Sequence, residues 1–260
     1  MEAEMVLSFL HKLEKEHDIK ILYAVNGGSM SMGYASPESD TDVRFIYVHR
    51  PEYYFSITPK PDTINYMSDD HDLDLVGFEL RKALSMLMKT NPIESDWLHS
   101  DVVYIEAGGF RSKMLEFEKM YYNPTHAMYH FRSISVKHND RYFQEKVTLK
   151  RFIYYMRGFL SCIWIEKNYC HPPVIIDDLI DAVIDDSEIR ELAHGILETK
   201  RSGSTHNDDP VDERLVEHMN AIREHIESIL PTFRPDKPEG NEELLTLFLM
   251  ECSNKAYIHK

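Results

Sequence analysis

Met5, Val6, Phe9, Leu10 and Leu13 recur three to four residues apart, with lysine and histidine gathered toward the end. That spacing predicts a helix over residues 3–17. Residues 19–26 form a nearly unbroken apolar run, which predicts a buried strand closed by the turn Gly27-Gly28-Ser29. A short helix is expected over 29–33, a loop over 34–39 and a second strand over 42–49. An aromatic connection follows over 51–56, then a short strand over 63–66. Residues 73–79 predict another strand, with Asp74 between apolar neighbours. From Leu80 the period switches to helical, with Leu80, Leu84, Leu87 and Met88 in a stripe that Asn91-Pro92 ends. A short helix is expected over 93–99 and a short strand over 102–105.

From Phe110 onward the patterns are mostly helical: 110–120, 124–140, 141–168, 177–185, 187–200, 210–229 and 241–252. Pro172-Pro173 interrupts them, and polar loops are expected at 201–209 and 232–240. No internal repeat is visible. The expected fold is α/β of the α+β kind, with a small mixed-sheet domain over 1–108 followed by a mostly helical domain over 109–260.

The 260 residues are long enough to bury a sizeable core, and 43% hydrophobic with 28% charged is the balance of a globular protein. No apolar run of about 18 residues is present, which excludes a membrane-spanning helix. Cys162, Cys170 and Cys252 have no metal-ligand spacing, and their odd number argues against a disulfide framework, so a cytoplasmic location is expected. The net charge of −15 excludes a broadly basic, nucleic-acid-coating surface but leaves room for a local basic groove. Acidic residues concentrate over 177–191 and 208–217, where solvated helix faces and loops are the expectation.

The chemistry begins at Asp40-Thr41-Asp42. Residues i and i+2 of a strand point the same way, so Asp40 and Asp42 share a face. Adjacent carboxylates repel and are costly to bury together. A hard divalent cation, Mg²⁺ or Mn²⁺, held by carboxylates and substrate phosphates offsets that cost. The Gly27-Gly28-Ser29 turn upstream can offer N–H groups and a hydroxyl to a phosphate. Together these features predict a site for a metal-bound nucleoside triphosphate. Two-metal nucleotidyl transfer needs a third carboxylate from a neighbouring strand. Asp74 fits best, holding the metal that activates an acceptor hydroxyl, and Asp72 is the other candidate.

The order Gly27-Gly28-Ser29, Gly33-Tyr34, Ser39-Asp40-Thr41-Asp42-Val43-Arg44 and then Leu73-Asp74-Leu75 resembles the DNA polymerase β-type nucleotidyltransferase superfamily. Ser36-Pro37-Glu38, Phe45-Ile46-Tyr47-Val48, Leu80-Arg81-Lys82, Asn91-Pro92 and Trp97-Leu98 are closer to the predicted-nucleotidyltransferase branch of bacteria and phages. Some members of that branch are associated with RNA-repair ligases. The likeness covers about 20–175 and includes Lys150, Tyr154, Arg157 and Pro172-Pro173. Met30 and Met32 depart from it, where a basic and an aromatic residue are common. The resemblance implies that Gly28 and Ser29 bind the β- and γ-phosphates through backbone and hydroxyl, and that Asp40 and Asp42 bind both metals. Arg44, on the face of Asp42, pairs with a carboxylate or reaches phosphate.

Arg81 and Lys82 open the helix after the Asp74 strand and are candidates to face the triphosphate or the acceptor; a solvated helix face is the alternative. Lys150, Tyr154 and Arg157, spaced i, i+4, i+7, share one helix face and are candidates for phosphate binding and base stacking. A mixed core-and-surface helix is the alternative there. His126 and His130 are one helical turn apart but lack a companion metal ligand. The expected function is transfer of a nucleoside monophosphate from an NTP to a hydroxyl, with an RNA 3′ end slightly favoured. A protein or small-molecule acceptor, or a non-catalytic nucleotide sensor of the same fold, are the alternatives.

Overall fold

A computed structural model describes residues 3–58, 60–69, 72–142, 148–203, 211–236 and 239–257. The amino-terminal part runs α1 (Ala3–His17), β1 (Lys20–Asn26), β2 (Thr41–Val48), α2 (Pro51–Tyr54), β3 (Thr63–Met67), β4 (Leu73–Glu79), α3 (Leu80–Met88), α4 (Pro92–Leu98) and β5 (Val103–Glu106). It continues through α5 (Phe110–Tyr121), α6 (Pro124–Tyr142), α7 (Leu149–Asn168), α8 (Ile176–Val183), α9 (Ser187–Arg201), α10 (Glu213–Ile229) and α11 (Glu242–Lys255). The molecule is a mixed α/β fold around one five-stranded sheet of order β3-β4-β2-β1-β5. β2 and β4 are parallel, and the other neighbours are antiparallel.

The period-two alternation of β2 sorts its side chains onto two cores. Val43, Phe45 and Tyr47 face α1, whose Val6, Leu10 and Leu13 bury against them. Each such side chain contributes roughly 2 kcal/mol of burial. Ile46 and Val48 face the other way, into a core shared with α3, α4, α5 and α11. Phe110, Met114, Phe117, Leu245 and Phe248 belong to that second core, so α5 and α11 cover the sheet although both follow residue 109. A third core is helical. The centre of α7 is buried nearly all round, and α7 packs against α6, α8, α9 and α10. Met32 and Tyr34, from the turn after β1, insert into it.

Three local expectations change. Residues 29–33 form turns rather than the short helix expected there, with Gly33 at a positive φ. The aromatic connection over 51–56 opens with a helical turn, α2, because Pro51 at the first helical position has the right φ and lacks an N–H that would go unpaired. The break between α6 and α7 comes later than 140/141: α6 reaches Tyr142, and α7 starts after Thr148, whose side chain accepts from the Arg151 N–H. Residues 204–209 of the loop expected at 201–209, residue 210 of the helix expected at 210–229 and residues 237–238 of the loop at 232–240 lie outside the described residues, and with them Asp208 and Asp209 of the second acidic run. Among the described residues no helix is long and apolar enough to cross a membrane.

Candidate active site

The parallel register of β2 and β4 makes Asp42 and Asp74 direct Cα partners. Arg44 lies two residues along β2 on the same face. One of its terminal nitrogens donates to Asp42 Oδ1 at 2.6 Å and to Asp74 Oδ2 at 2.8 Å. The other donates to the carbonyls of Val43 at 3.1 Å and Asp74 at 3.0 Å. The guanidinium therefore compensates both carboxylates. Burial pushes the Asp42 carboxyl up, Arg44 pulls it back, and the neighbouring charges of Asp40 and Asp74 raise it again, leaving it above the ordinary carboxylate range.

The turn after β1 closes tightly over this pair. The Gly27 N–H donates to the Asp42 carbonyl at 2.9 Å. A Cβ built on Gly28 would fall well under 3.0 Å from Asp42 Oδ2, and one on Gly27 would overlap the Arg44 side chain, so the double glycine is a steric requirement. Buried Asn26, which the sequence pattern left as the last residue of a strand, organises the turn. Its Oδ1 accepts from the N–H groups of Gly28 at 3.1 Å and Ser31 at 3.3 Å. The Gly28 N–H is thus engaged inside the turn. Gly28 acts by admitting Asp42.

A cavity of about 120 Å³ lies in front of the carboxylates. Ser29, Glu38, Ser39, Asp40 and Asp42, from the segments flanking β1 and β2, line it together with Lys150, Tyr154 and Lys200 from two helices, with buried Tyr34 in its wall. Burial, and then the Tyr154 hydroxyl, push the Tyr34 phenol well above its ordinary range. Lys150 and Tyr154 come from the first turns of α7. Lys200 comes from the end of α9 and carried no distinguishing sequence signal. Its neighbour Arg201 shows how it arrives: Arg201 Nε donates to the Gly33 carbonyl at 2.7 Å, and its guanidinium also pairs with Asp177. The Ile176 N–H donates to the Met32 carbonyl at 3.1 Å. These bonds pin α8 and α9 to the turn that carries Ser29. Met32 stands where an aromatic is common because it plugs the helical core.

Of the candidate residues, Ser29, Asp40, Asp42, Lys150 and Tyr154 line the cavity. Gly28, Arg44 and Asp74 stand immediately behind its carboxylate wall. Lys82 and Arg157 are not brought there. Lys82 follows the far end of β4, roughly 20 Å along the strand direction from Asp74. Its Nζ bonds to Asp62 at 2.9 Å and Thr63 at 2.5 Å. Arg157 shares the α7 face of Lys150 and Tyr154 but lies about 10 Å beyond Lys150 and about 5 Å beyond Tyr154 along the helix. There it is buried and pairs with Asp96 of α4 at 2.8 Å. Asp72, the alternative third carboxylate, precedes β4 and pairs through its carbonyl with the Thr41 N–H, whereas Asp74 sits within the strand beside Asp42.

Among the described residues, no group of three or more His, Cys, Asp or Glu side chains gathers around one point as a ready cation cage. The donor set on the carboxylate wall is all oxygen, which suits a hard cation such as Mg²⁺ or Mn²⁺ rather than zinc. Asp42 Oδ2, the oxygen facing Gly28, is the one that Arg44 does not hold. On that chemistry Asp40 and Asp42 fit such an ion, and Asp74 is compensated by Arg44.

The "Uncharacterized protein YcgL" of Bacillus subtilis (strain 168) is 32% identical over 248 residues, covering 95% of each chain. The crystal structure of a nucleotidyltransferase-like protein from Exiguobacterium sibiricum 255-15 aligns over 84% of this chain and 73% of that one. It is 11% identical, with a TM-score of 0.35. The decisive match is to RlaP, which covers residues 3–249 and so takes in the sheet, the carboxylates and the helices bearing both cavity lysines: the chain belongs to the RNA repair pathway DNA polymerase beta family.

Proposed function

We propose that this protein is an NTP-dependent, Mg²⁺- or Mn²⁺-dependent nucleotidyltransferase that moves a nucleoside monophosphate onto a hydroxyl, most naturally an RNA 3′ end. One observation carries the reading: Asp40 and Asp42, backed by Asp74 of β4, line the same cavity as Lys150 and Lys200. An acidic lining alone would repel a triphosphate, and a basic lining alone would bind it without a metal. The two in one cavity suit a cation–triphosphate pair.

Asp40 and Asp42 would hold the cation, with Asp74 beside them in the strand register. A cation held there would supply neutralisation of charge on the phosphate oxygens and polarisation of the attacking hydroxyl. The Ser29 hydroxyl would donate to a phosphate oxygen, and Lys150 and Lys200 would compensate the triphosphate and the departing pyrophosphate. At about 120 Å³ the cavity takes phosphate groups rather than a whole nucleotide, since sites enclosing drug-sized ligands run from about 300 Å³ upward. The base then lies toward its mouth, where Tyr154 can stack on it. The RNA repair wording of the family description supports a nucleic-acid acceptor.

The test is incubation with each α-³²P-labelled NTP, Mg²⁺ or Mn²⁺, and cellular RNA and protein, beside an Asp40→Ala/Asp42→Ala variant. Label on RNA that the variant abolishes is the expected result. Label on protein alone would redirect the acceptor. No label anywhere, despite measurable NTP binding, would replace transfer with nucleotide sensing.

A further inference from the structure

A second concave region lies at the opposite end of the sheet. The β2 strand carries Asp42 near one end and leads into His49 at the other, about 20 Å away. Around His49 are two adjoining cavities of about 810 and 550 Å³, both far larger than the one at the carboxylates, which share Tyr53 and Lys60 as lining. The larger is walled by aromatic rings: His49 stacks on Tyr53 with centroids 3.6 Å apart, and Tyr47 meets His49 edge-on at 5.4 Å. Burial, and then Lys60, push His49 down to about 4, so that ring is neutral at pH 7.

The charges around this groove are unevenly compensated. Five cations line it. Arg50 is held by Asp18 and Lys82 by Asp62. Among the described residues, Lys60, Arg81 and Lys89 have no carboxylate partner. Lys60 sits over the Tyr53 ring at 5.1 Å, and Arg81 over Tyr54 at 5.0 Å. On the acidic side, Asp18 and Asp62 are neutralised, and Glu79 is 2% exposed and bonded to the Tyr54 hydroxyl and the Arg81 N–H. Among the described residues, Glu52 is the one carboxylate of the lining with no ion pair or hydrogen bond. Lys60 and Arg81 over aromatic rings, with Lys89 in the same lining, form a local site for a polyanion in a chain of net charge −15. Between Tyr54 and Ser56 of the lining, Phe55 is 84% exposed, and nearby Ile57 is fully exposed. A bare aromatic ring at the mouth of a basic groove is what an unpaired base stacks on.

We propose that this groove binds single-stranded nucleic acid, with phosphodiesters on Lys60, Arg81 and Lys89 and bases against the His49–Tyr53 cluster and Phe55. Spare cations set into aromatic surface favour a single strand over an acidic protein, which has no bases to stack, and over a duplex, whose bases are hidden. The groove lies away from the carboxylates, so it holds the body of a strand rather than its reacting end.

The test is fluorescence anisotropy of the full chain with a labelled, unstructured 20-nucleotide RNA across a KCl series. Binding is read without nucleotidyl transfer, so its failure is distinguishable from failure of the transferase reading. A Lys60→Gln/Arg81→Gln/Lys89→Gln variant should lose at least about ten-fold in affinity and flatten the plot of log affinity against log salt by about 2, at roughly 0.7 per phosphate contact on a single strand. Its NTP binding at the carboxylate cavity should be unchanged. Phe55→Ala, at a ring too exposed to matter for folding, should cost about five-fold or more with no change in salt slope, since stacking releases no counterions. The proposal is overturned if the triple variant binds RNA with the affinity and slope of the wild type. It is equally overturned if the wild type binds no RNA, or if a duplex or a poly-glutamate chain competes as well as the single strand.

Discussion

Asp42 and Asp74 face each other as Cα partners across the parallel strands β2 and β4, and the Arg44 guanidinium joins them at 2.6 and 2.8 Å. The protein thus carries a built-in cation between two of its carboxylates. Arg44→Ala would leave both acids part-buried and mutually repelling, a loss of about 3 kcal/mol at neutral pH. Asp42 is already raised in the folded state, and the loss of Arg44 raises it further. A raised acid favours the fold at low pH and disfavours it once ionised. The destabilisation should therefore be small near pH 4 and grow as pH rises, which thermal melts across pH 4–8 would show.

Gly28→Ala places a methyl group against Asp42 Oδ2. The turn must shift or the carboxylate must turn away, at a cost of about 1–3 kcal/mol. Binding of Mn²⁺ with NTP, followed by electron paramagnetic resonance, should weaken at least ten-fold. The far-ultraviolet circular dichroism should stay that of the wild type.

Lys150→Gln and Lys200→Gln remove charges from two helices lining one cavity. Each should raise the KM for NTP about ten-fold, equivalent to about 1.4 kcal/mol, with a smaller effect on kcat. Equal losses in kcat and kcat/KM would place the lysines on the transition state instead.

Asp96 links the helical layer to the sheet, accepting from Arg157 at 2.8 Å and contacting His171 Nε2 at 3.0 Å. Burial alone would raise its carboxyl, but Arg157 and His171 outweigh burial and hold it at about 2. A depressed acid stabilises the fold above its unfolded pKa, and that contribution disappears as pH falls through the folded value. The wild type should lose about 2 kcal/mol from this group between pH 4 and pH 2. Asp96→Asn should lack that step and be less stable at pH 7 by about 3–5 kcal/mol, because Arg157 is left buried without its partner. Urea titrations at both pH values would show it.

Glu94 is 1% exposed, with neither carboxylate oxygen hydrogen-bonded among the described residues. Burial, and then the charge of Glu118, push its carboxyl well above the ordinary range. A raised acid destabilises once pH passes its unfolded value. Glu94→Gln should therefore stabilise the protein by about 1–3 kcal/mol at pH 8 and change little at pH 4. A melting temperature that falls at pH 8 would refute this.

The carboxylates were legible because a strand's alternation is a local rule. Asp40-Thr41-Asp42 and Leu73-Asp74-Leu75 announce their faces without any knowledge of the fold. The cavity's helical lining was only half legible. Lys150 and Tyr154 stood out by their spacing on α7, but the same spacing drew in Arg157, which the length of the helix carries to Asp96. Lys82 attracted attention by following the Asp74 strand, yet a strand places its two ends far apart. Asn26 looked like one more strand residue, and Lys200 like one more lysine near a helix end. Each owes its position to hydrogen bonds that cross long stretches of chain.

By itself, the sequence determined the order of strands and helices, the sides on which their apolar residues lie, and the presence of a glycine turn ahead of paired acids. Periodicity, turn chemistry and side-chain direction act over a few residues and need no partner. Tertiary structure alone decided that Asp74 lies opposite Asp42 with Arg44 between them, that α5 and α11 cover the sheet, and that Lys200 lines the same cavity as Asp40. Strand register and helix docking are settled when whole apolar faces pack together, a condition that no local window of sequence contains.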